Sequence, residues 1–175
     1  MKNRKGDWIQ TYSGNQFFPL DARADEIYIQ DIAHVLSMLC RFGGHCERFY
    51  SVAEHSCHMS DRAPQKYKLE ALLHDATEAY LVDVPRPIKR ELPDYKEIEL
   101  GLVRVISERF NLPEVMSTEV KMLDNLILFD EMDQNMKTPP KEWVGATTMR
   151  LDVQLQYWSP ETSKQEFMQR FIDLT

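Results

Sequence analysis

The stretch LLHDATEAY at residues 72–80 places an adjacent histidine and aspartate inside an otherwise apolar helical run. Glu78 follows His74 by four residues, so a helix would place these two side chains on one face. Polar groups of this kind are costly to bury unless a partner neutralises or ligates them. A divalent metal would do so, and the stretch therefore directs the search to further ligands in the chain.

Two more residues join His74 and Asp75 as candidate metal ligands. His55 lies one predicted helix earlier and Asp124 two helices later, and each interrupts an apolar run. Taken singly, each has an ordinary structural explanation, such as a core histidine or a buried ion pair. Together, two imidazoles and two carboxylates favour one catalytic divalent metal, which would be Mn²⁺, Co²⁺, Zn²⁺, Ni²⁺, Fe²⁺ or Mg²⁺.

Hydrophobic periodicity and capping signals predict an all-α protein, a compact array of six or seven helices with a small N-terminal β-hairpin. The hairpin is predicted within residues 8–18, where apolar and polar residues alternate loosely. Asp31 is the expected N-cap of the first helix. A Ser-x-x-Glu capping box at residues 51–54 begins the next one, and a further helix is predicted over about 65–81. Residues 153–157 fit either a strand or irregular structure.

A chain of 175 residues is long enough to bury one substantial core, so we expect a single domain. It would comprise an N-terminal hairpin and loop (1–30), a catalytic helical core (31–137) and a C-terminal packing segment and helix (138–175). The net charge of −7 argues against a nucleic acid polymer or an anionic membrane as a partner.

The three cysteines form an odd count without framework spacing, which predicts free thiols in a reducing compartment. No apolar run follows the basic N-terminal residues, and no stretch approaches the roughly 18 apolar residues of a membrane span. We therefore expect a cytoplasmic protein. The aromatic residues Phe17, Phe18 and Tyr28 are expected to be exposed, and on that basis we expect a homo-oligomer.

The order His55…His74-Asp75…Asp124 resembles the H…HD…D signature of the HD-domain metal-dependent phosphohydrolases. Further segments are similar to a small bacterial and bacteriophage subgroup of that family, and the similarity covers most of residues 10–130. These segments are CRFGGH (40–45), FYSVAEH (49–55), ALLHDATEAY (71–80), DVPRPIKR (83–90), LPDYK (92–96) and MSTEVK (116–121).

This resemblance implies a helical fold, one catalytic metal and hydrolysis of the phosphate esters of small deoxynucleotides by a water that the metal activates. Relatives in the family include 5′-deoxynucleotidases and triphosphohydrolases, among them a phage branch that removes dATP. We therefore expect a dATP or dNTP triphosphohydrolase that releases a deoxynucleoside and triphosphate. A 5′-deoxynucleotidase acting on dNMPs and a non-catalytic HD-fold nucleotide sensor stay open as alternatives.

Two acidic residues are predicted to be catalytic. Glu78 would hold or deprotonate water, or would orient His55; its ordinary alternative is a solvated helix carboxylate. Asp83 resembles in position a second acidic residue of the deoxynucleotidase relatives, where it would protonate the leaving 5′ oxygen or position the water. Its alternative is an Asx-turn before the prolines that follow.

Cations and small residues complete the predicted substrate site. Arg41 resembles in position a phosphate-binding arginine of the relatives, and guanidinium suits bidentate contact with phosphate. His45, Lys89 and Lys96 are further candidates for phosphate, with solvated surface charge as the alternative for the lysines. The base and sugar would contact Phe42, Gly44 and Pro87, although Phe42 could equally be a core residue.

Overall fold

The computed structural model describes residues 4–143, 145 and 147–175, and this part of the chain is mainly helical. The predicted all-α class with a small N-terminal hairpin is confirmed. The strands and helices of the described residues are β1 (Ile9–Gln10), β2 (Gln16–Phe17), α1 (Ile29–Met38), α2 (Val52–Arg62), α3 (Lys68–Leu73), α4 (Glu78–Leu81), α5 (Arg86–Lys89), α6 (Pro93–Phe110), α7 (Thr118–Asn135) and α8 (Pro160–Leu174).

The helix predicted over residues 65–81 is interrupted in its middle. Residues 74–77 form turns between α3 and α4, so His74 lies at the end of a helix rather than inside one. The His74 ring bonds the Ala71 carbonyl oxygen at 2.8 Å, and such local bonds compete with the helical pattern. When α3 and α4 are counted as this one broken helix, the described residues contain seven helices, within the predicted number.

The N-terminal hairpin is tied to α1 by a carboxylate. Because α1 begins at Ile29, Asp31 lies in its first turn and is not the predicted N-cap. The buried Asp31 side chain accepts hydrogen bonds from the backbone nitrogen and the hydroxyl of Ser13, at 2.7 and 2.8 Å. Phe17 of β2 is fully buried against Tyr80, so the expectation that Phe17 is exposed at an oligomer surface is wrong.

The α2 helix lies at the centre of the fold, in contact with α1, α3, α7 and α8. One apolar cluster joins helices α1, α2, α3, α4, α6 and α8, and it includes Ile32, Leu72 and Phe167. A second cluster joins α2, α3 and α7 to the segment before α8, and includes Met59 and Ile127. Within the described residues, none of the helices has the length and apolar content that crossing a lipid bilayer requires.

The segment before α8 is held by side chains instead of by a strand ladder. Residues 151–158 have no helix or strand, so the irregular alternative for residues 153–157 is the right one. Asp130 accepts the backbone N–H groups of Leu151 and Val153, and Glu54 accepts those of residues 156, 157 and 158 at 2.7–2.9 Å. Because these acceptors lie on α2 and α7, the C-terminal part of the chain is fixed to the helices that carry His55 and Asp124.

We expect Glu54→Gln to lower the free energy of unfolding by about 1–3 kcal/mol. The glutamine keeps one acceptor oxygen but places an NH₂ group where the backbone N–H of Trp158 needs an acceptor. Urea unfolding would measure the loss, with Glu166→Gln as the control because Glu166 lies on the surface of α8. Equal unfolding midpoints for the two variants would contradict the tethering role of Glu54.

Candidate metal centre

The four side chains predicted as metal ligands converge where α2, α7 and the end of α3 meet. The Nε2 atoms of His55 and His74 are 3.3 Å apart. Asp124 Oδ1 lies 3.6 Å from His55 Nε2 and 4.0 Å from His74 Nε2, and these three residues form a group that could hold a metal ion. Asp75 Oδ2 lies beside the same two nitrogens, at 3.1 Å from His74 and 3.7 Å from His55.

The hydrogen bonds behind the two rings determine which nitrogen of each ring faces the cluster. His55 Nδ1 lies 2.6 Å from Glu131 Oε1, and His74 Nδ1 lies 2.8 Å from the Ala71 carbonyl oxygen. Both partners are acceptors, so each Nδ1 carries a proton, and Nε2 is the atom with which each ring would bind a metal. Two ring nitrogens and two carboxylates that meet in this way form a donor set that fits a divalent metal.

The electrostatics of the cluster also favour positive charge. Burial acts to lower the pKa of His74, but the Asp75 carboxylate and then Asp124 outweigh it and raise that pKa to about 9. Burial acts to raise the pKa of Asp75, and the adjacent His74 with Arg41 holds it below its usual range. The same negative field that favours a proton on His74 would favour a metal ion between the ligands.

Glu131 is a site residue that the sequence interpretation missed. It is fully buried on α7, with Oε1 on His55 Nδ1 and Oε2 at 3.2 Å from Arg41 Nη2. Burial acts to raise its pKa, but Arg41 and His55 lower it to about 2. The available signal was its position seven residues after Asp124, which on a helix places both side chains on one face.

Arg41, predicted to bind phosphate, lies directly beside the cluster. Its Nη1 is 3.6 Å from Asp75 Oδ2, and its side chain is 11% exposed. Its Nε is buried without a hydrogen-bond partner among the described residues. The residue begins a short turn in which Phe42, Gly43 and Gly44 all have positive φ, and a left-handed conformation is uncommon for a phenylalanine.

The two predicted catalytic acids lie near each other at either end of α4. Glu78 begins this helix, and its buried Oε2 has no hydrogen-bond partner within the described chain. Burial, followed by the nearby carboxylates of Asp75 and Asp83, raises the pKa of Glu78 to about 9. Asp83 is half-buried and follows Val82, whose φ of 64° is unusual for a β-branched residue.

The predicted phosphate-binding lysines lie in two different environments. Lys89 forms an ion pair with Glu99, while Lys96 is exposed on α6. Besides Arg41, the structure brings Arg86 to the cluster, with Nη2 at 3.6 Å from Asp124 Oδ2 and a side chain that is 69% exposed. Arg86 is therefore better placed than Lys89 to meet an anion at this site.

The remaining predicted substrate residues are dispersed around the turn after Arg41 and the start of α5. Phe42 is half-buried and faces Trp143, with ring centroids 6.2 Å apart. Gly44 and Pro87 are exposed. His45 is also exposed and lines a cleft beside Trp143.

Fold and site together define a class: an all-α protein with a histidine and aspartate cluster, suited to one metal, between its central helices. Over 173 residues the chain is 44% identical to the uncharacterized protein YfdR of Escherichia coli strain K12, and the match covers 96% of each chain. The chain belongs to the protein family that includes YfdR. It is also 35% identical over 127 residues to the uncharacterized Rhodobacter capsulatus protein RCAP_rcc00048, with 67% of this chain and 65% of that protein covered. No family model matches the chain.

Proposed function

We propose that the chain is an HD-type metal-dependent phosphohydrolase that acts on deoxynucleotides. The observation that supports this most strongly is the convergence of the Nε2 atoms of two imidazoles with carboxylate oxygens from Asp75 and Asp124. The order of these ligands in the sequence resembles the HD signature, whose families hydrolyse phosphate esters. In this proposal His55, His74, Asp75 and Asp124 hold one divalent metal.

The metal would polarise a phosphoryl oxygen and lower the pKa of the attacking water. The chain itself supplies cations for the phosphate: Arg41 beside Asp75, and Arg86 beside Asp124. The planar guanidinium of Arg41 suits hydrogen bonds to two phosphate oxygens. Its buried Nε–H group, which has no partner among the described residues, could donate one of them. Glu131 holds His55 in the tautomer that the site requires.

Glu78 is assigned the proton-donor role, because burial and the carboxylates of Asp75 and Asp83 raise the pKa of its carboxyl group. A cation bound beside Asp75 would lower the raised pKa of Glu78 towards the neutral range, where a general acid or base is most effective. The proton would pass to the leaving 5′ oxygen. Asp83, at the other end of α4, would orient the leaving group or the water.

We expect Glu78→Gln to lower kcat by about 100-fold or more while the bound metal stays at wild-type content. The amide keeps the shape and cannot transfer the proton. Steady-state rates together with elemental analysis of the purified variant would measure both quantities. A wild-type kcat would contradict the assignment, and a loss of metal would show that Glu78 is needed for binding instead.

Deoxynucleoside triphosphates, dATP among them, are the substrates we propose first. Arg86, Arg90 and Lys96 are exposed on or next to α5 and α6, where they offer positive charge for a longer phosphate chain. The ion pair between Lys89 and Glu99 reduces that charge and favours monophosphates as the second candidate.

Product analysis separates the candidates. The protein is incubated with each dNTP and each dNMP in Mn²⁺ or Co²⁺, and the products are separated by anion exchange. Deoxynucleoside with tripolyphosphate supports the triphosphohydrolase, and orthophosphate from dNMPs supports the 5′-deoxynucleotidase. Tight nucleotide binding without any product would support a sensor, and the absence of turnover with every nucleotide and metal would overturn the enzyme proposal.

A further inference from the structure

A cleft of about 610 Å³ opens between the loop after Arg41 and the segment after α7. Asn135, buried at the end of α7, joins its two walls, because it exchanges hydrogen bonds of 2.8–3.0 Å with the backbone of Glu47 and Arg48. Lys137 and Glu47 form an ion pair across the same gap. The volume is within the range of small-molecule sites, about 300–1,000 Å³, and the walls are fixed before any ligand binds.

A chain of contacts leads from the candidate metal centre to this cleft. The Arg41 guanidinium lies 3.6 Å from Asp75 and 5.5 Å from the centroid of the Phe42 ring. Phe42 in turn faces Trp143, whose ring centroid is 6.2 Å away at an interplanar angle of 57°. Trp143 lines the cleft. Two aromatic rings therefore extend outward from a guanidinium that lies beside the metal ligands.

We propose that Trp143 is a base-binding residue that stacks on the nucleobase of a nucleotide whose phosphate lies at Arg41, and so favours nucleotides over phosphate esters without a base. This rests on the proposed function. A nucleotide has an anionic end and a flat aromatic end, and the series of contacts from Asp75 to Trp143 offers complementary surfaces in that order. Indole gives a large stacking face that accepts any base, and Pro139 and Pro140 line the cleft next to it. Trp143 also lies outside residues 10–130, so binding of the base would belong to this chain's own C-terminal part.

The test compares a substrate that has a base with one that has none. Trp143→Ala is expected to raise KM for the preferred deoxynucleotide by about ten-fold or more, because base stacking on an aromatic ring is lost. Trp143→Ala should leave inhibition by tripolyphosphate unchanged. It should also leave kcat/KM unchanged for the matching substrate without a base, which is 2-deoxyribose 5-triphosphate for a triphosphohydrolase and 2-deoxyribose 5-phosphate for a nucleotidase. Trp143→Phe should restore most of the affinity. Trp8→Ala is the control, since Trp8 is 43% exposed on the N-terminal hairpin.

Tryptophan fluorescence distinguishes a failure of this inference from a failure of the proposed function. Addition of dATP should quench the tryptophan fluorescence of the wild-type protein and of Trp8→Phe. It should quench the fluorescence of Trp143→Phe far less, whether or not any nucleotide is hydrolysed. The inference would be overturned if dATP quenched the fluorescence of Trp143→Phe as much as that of the wild type. It would also be overturned if Trp143→Ala lost as much kcat/KM on the substrate without a base as on the deoxynucleotide. If dATP quenches the fluorescence of the wild-type protein but no nucleotide is hydrolysed, the stacking site is supported and only the proposed hydrolase activity is overturned.

Discussion

His74→Ala is expected to abolish metal binding and phosphohydrolase activity together. The substitution removes one of the two Nε2 lone pairs and leaves the carboxylates of Asp75 and Asp124 facing each other with fewer partners. Loss of residues that merely support a metal ligand already costs about 10–100-fold in affinity, so loss of the ligand itself should cost at least about 100-fold. Calorimetric titration with Mn²⁺ and rates at saturating Mn²⁺ would measure the two effects.

The control for this variant is His34→Ala. His34 lies on α1, where its ring stacks on Tyr12 with centroids 3.7 Å apart. The substitution therefore removes an imidazole without altering the candidate metal ligands. Circular dichroism of both variants would verify that each is folded. A folded His74→Ala protein that binds Mn²⁺ as tightly as His34→Ala would refute the ligand assignment.

Glu131→Ala is expected to lower the free energy of unfolding by about 3–5 kcal/mol. Truncation leaves the guanidinium of Arg41 and the imidazole of His55 buried without their shared acceptor. The variant should also bind metal more weakly, because His55 loses the bond that sets its tautomer. Urea unfolding of the metal-free protein measures the first effect separately from the second.

Asp133→Ala provides a comparison on the same helix. Asp133 is exposed and pairs with Arg150 at 2.7 Å, and an exposed pair of this kind contributes less than about 1 kcal/mol. If Glu131→Ala were no less stable than Asp133→Ala, the buried bridge would not contribute to stability as proposed.

The fold class and the four candidate ligands were readable from the sequence for one physical reason. Residues such as His55 and Asp124 interrupt apolar helix faces, and a polar group on a core-facing stripe is conspicuous without any knowledge of its neighbours. The structure brings His55, His74 and Asp124 within 4.0 Å of one another. Helical periodicity therefore located both the core and the polar groups inside it.

What the sequence did not reveal depends on partners far along the chain. Glu131 looks like an ordinary solvated helix carboxylate until folding supplies Arg41, 90 residues away. Glu54 looks like the second half of a capping box until folding supplies the backbone of Gln156, 102 residues away. The break after α3 was missed because good helix formers stand on both sides of it, Leu72 and Leu73 before it and Glu78 and Ala79 after it. The pairing of Lys89 with Glu99 likewise depends on the turn between α5 and α6.

Glu131 bonds the His55 imidazole with one carboxylate oxygen and the Arg41 guanidinium with the other. A phosphate that draws Arg41 away would leave more of the carboxylate's charge to His55 and would make that ring a stronger ligand. Metal and phosphate binding are then thermodynamically linked through one side chain, and the factor by which either strengthens the other must be the same in both directions. If the proposed site binds both a cation and an anion, a single buried carboxylate would make their binding cooperative.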